Sequence, residues 1–324
     1  MSTNVKTRCL LPALIILIFA GMCLFHFCTI AHAESLPSAK PLRPFYLIGH
    51  NADTVAEVEE YLKMGASGFD IDVNVAKSNT NHLCIGHGPD LGTGGSDTNA
   101  PPIVNYFREV HRLARQYTNL SLIYLDCKAL VATPEKGRVL LQVVRNHLVG
   151  LGPDRIPINV IITGGTVKDR SLFEAIAPDL RDHEAVMFDY EDHPGATSEY
   201  FSEIGVINQC YADGTGVMNF AQCLFARHIR PGITAACALR DQKHQIRLVL
   251  TWTVNSRRQM EKYIKLGVDG MISEKSGHFY NPGGGFKKLA ALVRDRGPEL
   301  GIRPATRADD PLYPVGVPRS AAER

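Results

Sequence analysis

The chain has 324 residues, 45% of them hydrophobic and 21% charged, and its formal net charge is +2 at pH 7. So small a net charge argues against a nucleic-acid-binding protein. Once an N-terminal segment of 33 residues is set aside, about 290 residues remain, a length that fits one large α/β domain.

The N-terminal segment 1–33 has the features of a secretory signal peptide. Lys6 and Arg8 precede a long apolar run at 10–30, and Ala31-His32-Ala33 is a small-x-small cleavage site. We therefore expect cleavage after Ala33 and a secreted, extracellular protein. The apolar run is long enough to cross a bilayer, so an uncleaved signal anchor is the alternative, and no other segment approaches that length.

Apolar runs alternate with amphipathic stretches along the rest of the chain. The predicted helices cover 54–65, 104–117, 137–148, 169–176 and 259–266. The first of them begins with a capping box of Thr54 and Glu57. The predicted strands cover 45–49, 68–75, 82–86, 120–125, 156–162, 185–188, 205–211, 247–254 and 269–273.

This alternation is typical of a parallel sheet, and roughly eight units favour a closed (β/α)8 TIM barrel over an open sheet. The strand candidates exceed eight, so we expect one of the late ones to be an extra strand or a loop. The predicted organisation is a signal peptide at 1–33, a linker at 34–44, the barrel at 45–311 and a flexible tail at 312–324.

Polar side chains stand at the ends of several predicted strands. Two of them, Asp70 and Asp72, occupy alternate residues and therefore share one face of their strand. Active sites of TIM barrels lie at the carboxyl ends of the strands. The predicted site residues are His50, Asp70, Asp72, His87, Asp126, Lys128 and Trp252.

The types of these residues predict metal-assisted phosphodiester chemistry. The three aspartates would hold one divalent cation, with water and a substrate phosphate completing the coordination that Mg²⁺ prefers. His50 and His87 would act as nucleophile or base and as general acid. Lys128 would bind a phosphate oxygen. Each residue alone would be an ordinary loop, surface or core residue, and only their combination predicts a site.

The order of these motifs resembles the glycerophosphodiester phosphodiesterase superfamily. It is more similar to the sphingomyelinase D and dermonecrotic phospholipase D toxins of spider venoms and their tick and mite relatives. The likeness runs from about residue 46 to residue 311. The tail of this chain is similar to the motif that plugs the bottom of the barrel in those toxins. Ordinary glycerophosphodiesterases lack this motif. The segments that carry the likeness are His50, Asp70-Ile71-Asp72, His87-Gly88, Leu125-Asp126-Cys127-Lys128, Trp252-Thr253-Val254-Asn255, Gly267-Val268-Asp269-Gly270 and the tail Ala305-Thr306-Arg307-Ala308-Asp309-Asp310-Pro311.

The resemblance implies a TIM barrel, Mg²⁺ as the cofactor and a phospholipid or sphingolipid as the substrate. It implies catalysis by His50 and His87 and substrate contacts from Lys128 and Trp252. The implied metal ligands are Asp70, Asp72 and Asp126. Members of the family release choline or ethanolamine head groups from sphingomyelin and lysophospholipids, because a hydroxyl of the substrate attacks phosphorus and leaves a cyclic phosphate.

Three features depart from the family pattern. Asp70 stands where the family usually has glutamate, the segment 88–102 lacks the cysteines that close a loop there, and Leu250-Thr251 precedes the tryptophan where an aromatic residue is common. Five cysteines follow the signal segment, and an odd number leaves at least one thiol free. Cys223 and Cys237 are the preferred disulfide pair.

Two alternatives to the phospholipase D-like enzyme remain open. One is a glycerophosphodiesterase that hydrolyses soluble diesters, and the other is a catalytically weak lipid-binding barrel. We also expect a monomer that contacts membranes peripherally, through the loops 88–102 and 214–225.

Overall fold

The computed structural model describes residues 41–88, 100–189, 193–214, 229–243, 246–275 and 284–312. The predicted signal peptide, Cys223, nearly all of the predicted tail and most of the two predicted membrane-contacting loops lie outside these residues. Within the described ranges, no helix has the length and apolar character needed to cross a bilayer.

A closed barrel of eight parallel strands forms the centre of the described chain, as predicted. The order around the barrel is β1-β2-β4-β5-β6-β7-β8-β9, and β9 pairs with β1 to close it. The first strand begins inside the segment predicted as a linker. The strands are β1 (Arg43–Gly49), β2 (Gly68–Ala76), β3 (Asn79–Ile85), β4 (Leu122–Cys127), β5 (Asn159–Gly164), β6 (Glu184–Phe188), β7 (Gln209–Gly214), β8 (Ile246–Trp252), β9 (Gly270–Ser273) and β10 (Ile302–Pro304).

The prediction that the extra strand candidate is a late one is wrong. All the late candidates belong to the barrel, and the candidate outside it is the third, β3. It pairs antiparallel with β2, with Val73 opposite Ile85. Only a two-residue turn, Lys77-Ser78, separates the two strands, whereas a parallel neighbour needs a crossover of a dozen residues or more. The hairpin extends β2 beyond the barrel and then returns to its mouth. A second addition, β10, pairs with the start of β1.

Helices follow most barrel strands and cover the outside of the barrel. The predicted capping box is confirmed: Thr54 Oγ1 accepts the N–H of Glu57 at 3.2 Å, and Glu57 accepts the N–H of Thr54 at 3.1 Å. A π-helical turn, Val144–Val149, continues the third helix. The helices are α1 (Val55–Lys63), α2 (Ile103–Gln116), α3 (Pro134–Val143), α4 (Arg170–Ile176), α5 (Pro194–Glu203), α6 (Ile229–Ala238), α7 (Arg257–Leu266) and α8 (Gly285–Arg296).

Alternate residues of each strand divide the core into an inner and an outer part. On β1, Tyr46 and Ile48 belong to the cluster inside the barrel, while Phe45 and Leu47 pack against the helices. The tail reaches the same interior, because Ala305 and Leu312 join the inner cluster. The inner cluster comprises Tyr46, Ile48, Leu122, Tyr124, Ile161, Ala185, Met187, Cys210, Ala212, Leu248, Leu250, Ile272, Ala305 and Leu312.

The tail motif lies at the amino ends of the barrel strands, which is the end opposite the predicted site. The backbone N–H of Ala305 donates to the carbonyl of Phe45 at 2.9 Å. The guanidinium of Arg307 donates to the carbonyls of Leu120 at 2.7 Å and Tyr117 at 3.0 Å. Because these carbonyls precede β4, the arginine fixes the tail across the bottom of the barrel.

Replacing Arg145 by leucine should lower the free energy of unfolding by about 3–5 kcal/mol, because it leaves a buried carboxylate without its partner. Glu184 is fully buried at the start of β6 and accepts two hydrogen bonds from Arg145, at 2.7 and 2.6 Å. Urea unfolding measures the change. As a control, Arg138→Leu alters an exposed arginine of α3 and should shift the midpoint little; equal losses in both variants would contradict the prediction.

Candidate active site

Three carboxylates meet at the mouth of the barrel. Asp70 and Asp72 point into the barrel from β2, and Asp126 lies opposite Asp72 on the neighbouring β4. One carboxylate oxygen from each lies within 4.8 Å of the others. Asp70 and Asp72 are buried, and Oδ1 of Asp70 has no hydrogen-bond partner among the described residues. Such a donor set of hard oxygens fits a divalent cation such as Mg²⁺ or Ca²⁺.

The electrostatics of the three carboxylates also fit a site for a cation. Burial, reinforced by the negative charges of Asp72 and Asp126, raises the pKa of Asp70 well above its usual range. Burial likewise raises the pKa of Asp126. Charged carboxylates this close together repel each other, so they are favoured in the ionised form only with a cation between them.

Lys128 supplies the nearest positive charge to the three carboxylates. Its Nζ lies 2.7 Å from Oδ1 of Asp72 and 2.6 Å from Oδ2 of Asp126. Burial lowers the pKa of Lys128, but the two carboxylates outweigh burial and raise it above its usual value, so the ammonium group stays charged. The sequence predicted a contact with substrate phosphate, and in the structure this lysine is paired with two of the predicted metal ligands.

His50 follows β1 and lies between two carboxylates. Its Nε2 is 3.9 Å from Oδ2 of Asp70, and its Nδ1 is 3.6 Å from Oε1 of Glu274. The hydroxyl of Tyr61 donates to the carbonyl of His50 at 2.9 Å. A Cβ at Gly49 would lie 2.5 Å from the Tyr61 ring, so glycine at that position lets α1 pack closely against the strand end that carries the histidine.

Glu274 is a candidate site residue that the sequence did not suggest. It directly follows β9 and is 3% exposed. Its Oε2 accepts a hydrogen bond from Nδ2 of Asn255 at 3.1 Å, while its own N–H donates to Oδ1 of Asn255 at 3.1 Å. This reciprocal pair fixes the carboxylate so that its other oxygen faces His50.

His87 follows β3, and the hairpin brings it back to the mouth of the barrel. The N–H of Gly86 donates to the carbonyl of Asp72 at 2.9 Å. Nδ2 of the buried Asn74 donates to the carbonyls of Gly86 and His87, at 3.4 and 3.2 Å. His87 is near enough to Asp126 to oppose the rise that burial causes in the pKa of that carboxyl group. His87 was predicted at the end of a parallel barrel strand. In the structure it follows the antiparallel strand β3 and still lies at the mouth of the barrel.

A fourth carboxyl group, Asp189, lies beside Trp252 at the mouth. It follows β6 and is 6% exposed, and the hydroxyl of Tyr124 donates to it. Burial and the charge of Asp126 raise the pKa of Asp189 to about 7, although hydrogen bonds from Tyr124 and Trp252 oppose the rise. The sequence did not single out Asp189, although this residue directly follows the predicted strand 185–188.

Removing the acidic group of Asp189 should flatten the pH dependence of stability. With a pKa of about 7 in the folded chain against 3.8 as the ordinary value, Asp189 binds more protons when folded between about pH 4 and pH 7. The free energy of unfolding therefore falls as the pH rises through this window. For Asp189→Asn we expect a smaller fall, measured by urea unfolding of metal-free protein. Asp182→Asn, at an exposed site, is the control, and an unchanged slope for Asp189→Asn would contradict the prediction.

The structure thus brings His50, Asp70, Asp72, Asp126 and Lys128 into one cluster. His87 borders this cluster through Asp126, and Trp252 lies beside Asp189 at the same end of the barrel. Of the predicted disulfide pair, Cys237 is a buried residue of α6, and Cys223 is not among the described residues, so the pairing stays a prediction.

Known proteins resemble the chain in sequence and in fold. The family model described as dermonecrotic toxin SPH matches residues 40–312. A dermonecrotic toxin SPH of Ixodes scapularis is 24% identical over 290 residues, covering 83% of this chain and 76% of the toxin. A sphingomyelinase D of Trichophyton rubrum is 23% identical over 248 residues, covering 74% of this chain and 72% of the relative.

Among solved structures, a putative glycerophosphoryl diester phosphodiesterase from Silicibacter pomeroyi superposes with a TM-score of 0.51 and 15% identity. The superposition covers 81% of this chain and 96% of that protein. This similarity supports the barrel fold, and the family relatives confirm the prediction of a phosphodiesterase-type enzyme. The match of the family model over most of the sequence establishes that the chain belongs to the dermonecrotic toxin SPH family.

Proposed function

We propose that the chain is a secreted, Mg²⁺-dependent phospholipase D-like enzyme that cleaves head groups from sphingomyelin and lysophospholipids. The observation that carries the proposal is the cluster of Asp70, Asp72 and Asp126 with His50 3.9 Å from Asp70. Its relatives include proteins named dermonecrotic toxin and sphingomyelinase D. The predicted signal peptide at 1–33 supports an extracellular site of action.

The three aspartates would hold the cation, which when bound supplies positive charge that offsets the charge developing on the phosphodiester. Lys128 adds a fixed positive charge two residues from Asp126, placed for a non-bridging phosphate oxygen. Lys128 is ion-paired with Asp72 and Asp126, two of the residues that would hold the cation, so its ammonium group lies beside the position of the substrate phosphate.

His50 has the surroundings of a general base. The carboxylate of Glu274 faces Nδ1, which favours the tautomer that carries its proton there and leaves the lone pair of Nε2 toward Asp70 and the substrate. In the proposed reaction, Nε2 takes the proton of the substrate hydroxyl as that oxygen bonds to phosphorus. The bond from phosphorus to the head-group oxygen breaks, and His87 gives that oxygen a proton. The products are a cyclic phosphate and the head-group alcohol.

Mass spectrometry of the products from sphingomyelin, with and without a chelator, tests the proposal. We expect a cyclic phosphate that disappears with EDTA and returns with Mg²⁺. A linear phosphate would instead indicate hydrolysis of the glycerophosphodiesterase type, and the absence of any product from sphingomyelin or lysophospholipids would indicate a lipid-binding barrel.

Substitution of the ligands should weaken binding of the cation. We expect Asp72→Asn and Asp126→Asn each to raise the Mg²⁺ concentration required for half-maximal activity by at least about tenfold, since each removes an anionic oxygen ligand. Asp70→Glu should keep or raise the affinity, because it restores the residue that the family usually has. A metal requirement unchanged in both asparagine variants would contradict the three-carboxylate site.

A further inference from the structure

The loop that carries His50 also brings an additional carboxylate, Asp53, against β2. Oδ1 of Asp53 accepts the backbone N–H of Asp72 at 3.0 Å. The residue before Asp53 is fixed as well. The N–H of Ala52 donates to the carbonyl of Asp70 at 2.9 Å, and the hydroxyl of Tyr106 donates to the carbonyl of Ala52. Asp53 is therefore fixed beside one of the proposed metal ligands.

This placement is unfavourable unless a positive charge is bound nearby. Within the described ranges, no lysine or arginine forms an ion pair with Asp53, and the ammonium group of Lys128 is already shared between Asp72 and Asp126. A partly buried carboxylate beside another carboxylate carries a cost in free energy, and a bound cation offsets that cost. The buried Oδ1 of Asp70 lacks a hydrogen-bond partner in the described structure, and this independently fits a site for a cation.

We propose that Asp53 is a positioning residue of the divalent-cation site. It fixes the backbone of Asp72 through the N–H contact, and its negative charge strengthens the attraction of the site for the cation without its side chain coordinating the ion. This inference rests on the metal site of the proposed function and adds a residue to it. Groups that support metal ligands in this way typically contribute 10–100-fold to metal affinity.

Binding of Mn²⁺ to the purified full chain, without substrate, tests the role of Asp53 separately from activity. The signal of free Mn²⁺ in electron paramagnetic resonance gives the dissociation constant, and Mg²⁺ competition confirms the site. Asp53→Asn keeps an oxygen that can accept the N–H of Asp72 but removes the charge. We expect its affinity for Mn²⁺ to fall by about 10–100-fold. Asp295→Asn, which removes the same charge at an exposed position of α8, should bind as the wild type does.

Thermal unfolding of the metal-free proteins separates a role in cation binding from a structural one. Asp53→Asn should have a midpoint equal to or above that of the wild type, because it removes one of several repelling charges. A lowered midpoint accompanied by weaker Mn²⁺ binding would overturn the proposal in favour of a structural role.

The affinities also separate failure of this inference from failure of the proposed function. If Asp72→Asn loses Mn²⁺ while Asp53→Asn binds it within twofold of the wild type, the role of Asp53 is overturned and the metal site stands. If the wild type binds no Mn²⁺, the metal site and the role of Asp53 are both overturned.

Discussion

Alanine at His50 or at His87 should lower turnover by about 10²–10⁴-fold, the usual contribution of a positioned proton-transfer group. Nε2 of His50 lies 3.9 Å from a proposed metal ligand, and His87 stands at the same mouth. Neither side chain belongs to the hydrophobic core. We therefore expect thermal midpoints close to that of the wild type in both variants, with release of the head-group alcohol as the measure of activity.

His82→Ala is the matched control, since it removes an exposed histidine from the hairpin that carries His87. It should retain full activity. If either site variant keeps more than about a tenth of wild-type turnover, the assignment of that histidine to proton transfer is wrong.

Glutamine in place of Glu274 should lower kcat by about 10²-fold or more, by analogy with the loss of a carboxylate that orients a catalytic histidine. The change is nearly isosteric and keeps an oxygen for Nδ2 of Asn255. However, the amide group of the new glutamine can donate a hydrogen bond to Nδ1 of His50. This favours the tautomer in which Nε2 holds the proton and cannot accept another. We expect KM and Mn²⁺ binding to stay near their wild-type values.

Glu60→Gln removes the same charge from an exposed position of α1 and is the control for Glu274→Gln. A loss of activity that comes with weaker metal binding or a lower thermal midpoint would show that Glu274 supports the site as a whole and not His50 in particular.

The barrel could be predicted because its strands are short apolar runs separated by amphipathic stretches. The error at β3 has a local cause: residues 82–86 have the composition of a strand, and strand composition does not distinguish a hairpin partner from a barrel member. The length of the connection does, since Lys77-Ser78 is too short for a crossover. Helix α5 escaped prediction because it opens with Pro194-Gly195 and its apolar residues form only a weak stripe.

Most of the candidate site follows from one rule, that polar residues at the ends of strands converge. The same rule applied to the predicted strands 185–188 and 269–273 would have found Asp189 and Glu274, which directly follow them. Asp53 is different, because its contact with Asp72 depends on how the loop turns. Asn51 has a φ of 49°, in the left-handed region that asparagine tolerates better than most residues, and the sequence alone does not specify that turn.

The tail across the bottom of the barrel limits how much of a substrate can enter. Tyr46, Met187 and Leu250 belong to the same cluster inside the barrel as Leu312 of the tail, so packed side chains fill the barrel below the site. In the proposed reaction, a phosphate and a small alcohol would reach the carboxylates, while an acyl chain would have no depth into which to extend. If the substrate is a lipid, its tails stay outside, and the enzyme can work on a molecule that never leaves its lipid aggregate.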